Sequence, residues 1–190
     1  MKTILDEAKK KKQTFDMLAS MHFKMRDYYN KWNTIFDSVE ILFSVLICGF
    51  TFINIDDYFN FDIKNISFLL GFTSILLFAF TLIKQKLDFK SKAQTHILAG
   101  KMYSKAKVDL AQKIIMWEKN CTDDKQILDY LNETFKNLNN LEQVPENKFH
   151  KLKHYHKHKV EFSKFLDDNS RIPYLLCKIK FCFEKIKRKK

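Results

Sequence analysis

The sequence predicts an all-α protein: a two-transmembrane helical hairpin, with long helices forming a cytosolic helical bundle. Three observations lead there. Only 3 Gly and 2 Pro occur in 190 residues, so turns are scarce and long helices are favoured. Two apolar stretches, "VEILFSVLICGFTFINI" (39–55) and "ISFLLGFTSILLFAFTLI" (66–83), flank an acidic connector. Elsewhere apolar residues recur at helical spacing on polar segments. The chain then divides into a cytosolic amphipathic helix (1–38), a transmembrane hairpin (39–83, external loop 56–65), a cytosolic helical domain (84–144) and a basic His/Lys-rich segment (145–190).

In the first segment Phe15, Leu18, His22, Met25, Tyr29, Trp32 and Phe36 follow alternating steps of 3 and 4. That is the heptad stripe of a helix packed on another helix. No Gly or Pro separates it from the first apolar stretch, so one continuous helix is expected. No signal peptide is expected, because no small-residue cleavage site follows the first apolar run.

A membrane-crossing helix needs about 20 mainly apolar residues, with a range of roughly 17–25. Both stretches fall at the short end, and at about 1.5 Å rise per residue each spans roughly 26 Å. A buried core helix would carry charge on one face within every two turns. Residues 66–83 carry none, and Glu40 is the sole charge near the start of the first stretch. Lys24, Arg26 and Lys31 precede the pair, and Lys84, Lys86, Lys90 and Lys92 follow it. The connector holds Asp56, Asp57 and Asp62 against Lys64. The positive-inside rule then puts both termini in the cytoplasm of a multi-pass inner-membrane protein. Tyr58, Phe59 and Phe61 stand where an interfacial aromatic belt would lie.

The apolar stretches also carry small and hydroxyl-bearing residues on one side. Ser67, Gly71, Ser74 and Thr81 fall near one face of the second, and Ser44, Cys48 and Thr51 are aligned on the first. Lipid supplies no hydrophobic drive for helix association, so such faces let helices approach closely. The plain reading is packing within one hairpin. The sharper one is a homo-oligomer whose hydroxyl faces line a narrow pore that gates by dewetting.

Beyond the second stretch, Leu98, Met102, Ala106, Leu110, Ile114 and Trp117 form one helical face, with Gly100 as a weak point. A further helix is expected after Thr122, a plausible N-cap, with Leu128, Leu131, Phe135 and Leu138 as its apolar face and Pro145 at or beyond its end. Met25, Trp32, Met102 and Trp117 are read as core packing of the bundle.

The net charge of +12 suits an anionic membrane surface or nucleic acid, and scattered lysines also simply solvate a surface. In "FHKLKHYHKHK" (149–159), His150, His154 and His158 are spaced i, i+4, i+8, as metal ligands can be. Five surrounding lysines (Lys148, Lys151, Lys153, Lys157 and Lys159) and no interleaved carboxylate argue for a basic helix and against a metal. At the C-terminus, Ile172, Leu175, Leu176, Ile179, Phe183 and Ile186 mark the apolar face of an interfacial helix. Lys178, Lys180, Lys185, Lys187 and Arg188 would meet anionic headgroups. Cys48, Cys121, Cys177 and Cys182 form no CxxC pair and are read as reduced. No P-loop, GxSxG or HExxH is present, so neither an enzyme nor a cofactor is expected.

The order of these parts resembles a known family. "YYNKWNTIFDSVEILFSVLI" leads into two membrane helices with a short connector, and "KQKLDFKSKAQTHILAGKMYSKAKVDLAQKI" follows them. This arrangement, over about residues 10–140, is similar to the SLATT family of two-transmembrane proteins found beside nucleotide-second-messenger synthases and sensors in prokaryotic antiphage systems. The resemblance implies a membrane pore or membrane disruption triggered by a nucleotide second messenger or a sensor protein encoded nearby. Depolarisation and growth arrest of the infected cell (abortive infection) would follow. It carries no catalytic residue. The alternative is a non-conducting scaffold whose basic tail recruits a cytosolic partner or nucleic acid. A holin-like lesion former is a third reading, disfavoured by the large cytosolic part.

Overall fold

A computed structural model describes residues 2–52, 63–119 and 124–187. Six helices and no strand occur among the described residues: α1 (Lys2–Phe52), α2 (Ile63–Leu87), α3 (Phe89–Glu118), α4 (Asp124–Asn139), α5 (Glu146–Asp168) and α6 (Tyr174–Lys187). The amphipathic N-terminal segment and the first apolar stretch are one helix, as the uninterrupted sequence predicts. α2 begins at Ile63, inside the segment expected as loop 56–65. The aromatic and aspartate positions of that loop up to Asp62 lie outside the described residues, as do Thr122 and Arg188.

The chain forms two compact units. The first comprises Met1–Lys24 and Ala99–Lys190. Its core gathers Ala8 and Phe15 from α1, Ala106, Leu110 and Ile114 from α3, and Ile127, Leu131 and Leu138 from α4. Steps of 4 and 7 put each set on one helical face. Phe15 is the meeting point: its ring lies 6.2 Å from Tyr103 and 5.8 Å from Phe135, so one α1 side chain touches both α3 and α4. His22 is buried and stacks on Tyr103 with ring centroids 5.4 Å apart. Lys107 donates to Asp16 across α3 and α1 at 2.8 Å.

Gly100, the weak point of α3 by helix preference, has a packing role. A Cβ there would stand 2.9 Å from the Phe23 ring, so glycine is what lets that ring lie over α3. Pro145 lies beyond the end of α4, which stops at Asn139, and sits before the first turn of α5, where its missing N–H costs nothing. Pro173 stands likewise before α6, accepting from the Cys177 N–H.

The second unit comprises Met25–Leu98. Tyr29 stacks on His96 (5.5 Å), and Phe36 meets Phe80 (4.9 Å) and Phe89 (5.3 Å), joining α1, α2 and α3 through rings. Asp88 separates α2 from α3. Its φ of 43° closes α2, and its carboxylate accepts the Ser91 N–H at 3.1 Å, capping α3. Aspartate tolerates that left-handed conformation better than most residues and is a strong N-cap.

Three residues assigned to apolar faces are turned outward. Leu98 is 57% exposed, and Ala93, His96 and Ala99 hold the buried positions of α3 instead. Leu128 is 40% exposed, with Ile127 taking its place. Trp32 is exposed and not a core residue; its ring meets Tyr28 and Phe36 edge-on along its own helix. Met25 is buried, while Met102 and Trp117 pack at the edge of the first unit's core.

Candidate functional site

Among the described residues, two helices are long and apolar enough to cross a membrane, and no residue of their most apolar windows is buried. The core helix of a soluble protein would bury those residues. Here Ile41, Leu42, Val45 and Leu46 of α1, and Phe68, Leu69, Ile75 and Phe78 of α2, point outward. An apolar surface of that extent marks contact with lipid or with another chain.

The polar groups on these helices are mostly satisfied locally. Ser44 donates to the Glu40 carbonyl at 2.8 Å, Thr73 to that of Leu69 at 2.7 Å, and Ser74 to that of Leu70 at 2.8 Å. A hydroxyl bonded one turn back is tolerated where water is absent. Ser44, Cys48, Gly71 and Ser74 are all exposed. A Cβ added at Gly71 meets nothing within 4 Å among the described residues. Among the described residues no close neighbour therefore makes use of the small residue. The side chains of Thr51 and Ser67 lie outside the described residues.

Thr81 behaves differently. Its hydroxyl lies 3.0 Å from the Leu77 carbonyl and 2.8 Å from Glu40 Oε1, linking α2 to α1. Lys84 Nζ pairs with the same Glu40 carboxylate and with Asp37 Oδ1 at 2.6 Å. Lys84 and Glu40 are each about a quarter exposed, so the cluster is partly shielded from water. The stacked Phe36 and Phe80 lie one residue before Asp37 and Thr81 in their respective helices. An ionic and aromatic clamp thus joins the helices at the charged end of their apolar stretches. In the sequence Lys84 shows only as one of the flanking positive charges and Glu40 only as a charge at the end of the first stretch. The signal available was an Asp37/Glu40 pair three apart, matched by a lysine just past the second stretch.

The C-terminal part is a second candidate. Cys177 is fully buried, and Phe181 packs on Phe162 (5.2 Å), Phe165 (5.3 Å) and the edge of His158 (5.3 Å). Lys185 donates to Glu161 at 2.8 Å, which holds that carboxyl below its ordinary range. Lys180 donates to Asn169 at 3.2 Å, and Lys178 is exposed. The Lys187 side chain lies outside the described residues. Among the described residues no group of three or more His, Cys, Asp or Glu is placed to hold a metal. His150 and His154 face solvent and His158 turns to Phe181. His156, outside that i, i+4, i+8 spacing, has a buried Nδ1 with no hydrogen-bond partner among the described residues, and burial lowers its pKa.

Comparison of the chain with protein-family models, curated proteins and solved structures finds no match.

Proposed function

We propose that this chain is an oligomeric membrane effector that opens a pore, or disrupts the bilayer, in response to a cytosolic signal. α1 and α2 cross the membrane as a hairpin, with both termini in the cytoplasm, and the first unit is a cytosolic helical bundle that receives the signal. The observation that carries the reading is the outward face of α2. Gly71 and Ser74 lie exposed on an apolar helix, and among the described residues Gly71 has no close neighbour to admit. A small-residue face of this kind is suited to helices of other copies. Two helices per chain cannot enclose a pore, so several copies are required.

The opening step is a shift of population. A nucleotide or sensor protein must bind the open arrangement more tightly than the closed one. The resemblance of residues 10–140 to SLATT proteins supports infection as the occasion and growth arrest as the result. Membrane potential, followed with a voltage-sensitive dye during induced expression and phage infection, tests this. Depolarisation preceding growth arrest is expected. An unchanged potential through infection, with the neighbouring genes present, would replace the pore with a non-conducting scaffold.

A further inference from the structure

We propose that α6 lies in the headgroup layer of an anionic membrane, as a contact separate from α1 and α2. Its inner side is committed to α5 through Phe181, and Cys177 beside it is buried. Its outer side is not covered: Leu175 is 72% exposed, Leu176 58%, Ile179 53% and Phe183 64%. At about 100° per residue these four fall within an arc of roughly 100°. Lys178 and Lys185 border that arc on one side and Lys180 on the other.

Charge selects the occupant. Residues 145–190 hold 14 Lys and Arg against 5 Asp and Glu, a net +9 of the chain's +12. A second copy docked on the same face would bring lysine rims together, a like-charge arrangement that opposes association. Nucleic acid would leave the apolar centre without a partner. An anionic bilayer satisfies both parts, with acyl chains under the leucines and headgroups around the lysines. The contact rests on the proposed membrane location and not on conduction.

The test uses the full chain in lipid vesicles, with Cys48 and Cys121 replaced by alanine. An environment-sensitive fluorophore is attached to Cys182, which is exposed and borders the apolar arc, while Cys177 is buried. In vesicles containing phosphatidylglycerol, blue-shifted emission and quenching by a lipid-borne quencher are expected. Both should be absent with phosphatidylcholine alone and should weaken in high salt. Leu176→Ser with Ile179→Ser, both solvent-facing, should abolish the shift while leaving helix content unchanged. Emission indifferent to lipid charge would overturn the proposal. So would a blue shift without lipid quenching that grows with protein density, which would assign the face to a second copy. Ion flux from the same vesicles is read separately, so loss of conduction and loss of this contact are distinguishable.

Discussion

Single residues fix the two units, and their effects have definite signs. Lys84 sits against Asp37 and Glu40 beside an apolar surface, so Lys84→Met leaves two partly shielded carboxylates facing each other without a cation. That variant should melt at a lower temperature in detergent than Lys86→Met, which removes an exposed lysine of the same turn. Equal melting temperatures would show the clamp to be incidental. Gly100→Leu forces a side chain into the space of the Phe23 ring and should cost about 1–3 kcal/mol. Gly100→Ala should change stability less, since alanine's helix preference of about 1 kcal/mol offsets part of the ring's displacement. Urea unfolding of the two variants separates these. Burial pushes the pKa of His156 down, with Lys107 and Lys159 adding to that and Asp16 opposing it. The unfolded chain then binds more protons than the folded one below the ordinary histidine value of about 6.5. This contribution is fully present above that value and lost as the pH falls toward the folded pKa. His156→Gln should flatten the loss of melting temperature between neutral and mildly acidic pH; an unchanged slope would mean that His156 does not carry it.

Among the helices, α2 carries the assembly claim. Leucine at both Ser67 and Gly71 should weaken assembly, read as loss of crosslinked oligomers in membranes; unaltered crosslinking would remove the packing role. The helices themselves were legible from the sequence, because few Gly or Pro interrupt them and apolar residues recur at steps of 3 and 4. Their exact faces were less so. Leu98 attracts a pattern search because it is large, yet the α3 face is built of Ala93, His96, Ala99 and Gly100. The bulk is supplied from α1 instead: Tyr29 lies on His96 and Phe23 over Gly100. Small residues beneath rings leave a weak hydropathy signal. The break at Asp88 was hidden for another reason. One aspartate both ends α2 and caps α3, without the glycine or proline that usually announces a turn. The Asp37–Glu40–Lys84 clamp needed the pairing of α1 with α2, which charges far apart in sequence do not reveal.

At the scale of the whole molecule, apolar surface that a soluble chain would bury is concentrated on α1 and α2, and positive charge on residues 145–190. Both features fit a protein of the membrane, one through its hydrocarbon and the other at its headgroups. Every step of the proposed function depends on α1 and α2 crossing the bilayer with both termini inside. The most direct test is labelling of single cysteines in whole bacteria with a membrane-impermeant maleimide. Asp57→Cys, in the connector, should label in intact cells, and Cys182 only after permeabilisation, with the chain resisting alkaline extraction. Cys182 labelled from outside, Asp57→Cys protected until lysis, or a chain washed free of the membrane would contradict the account.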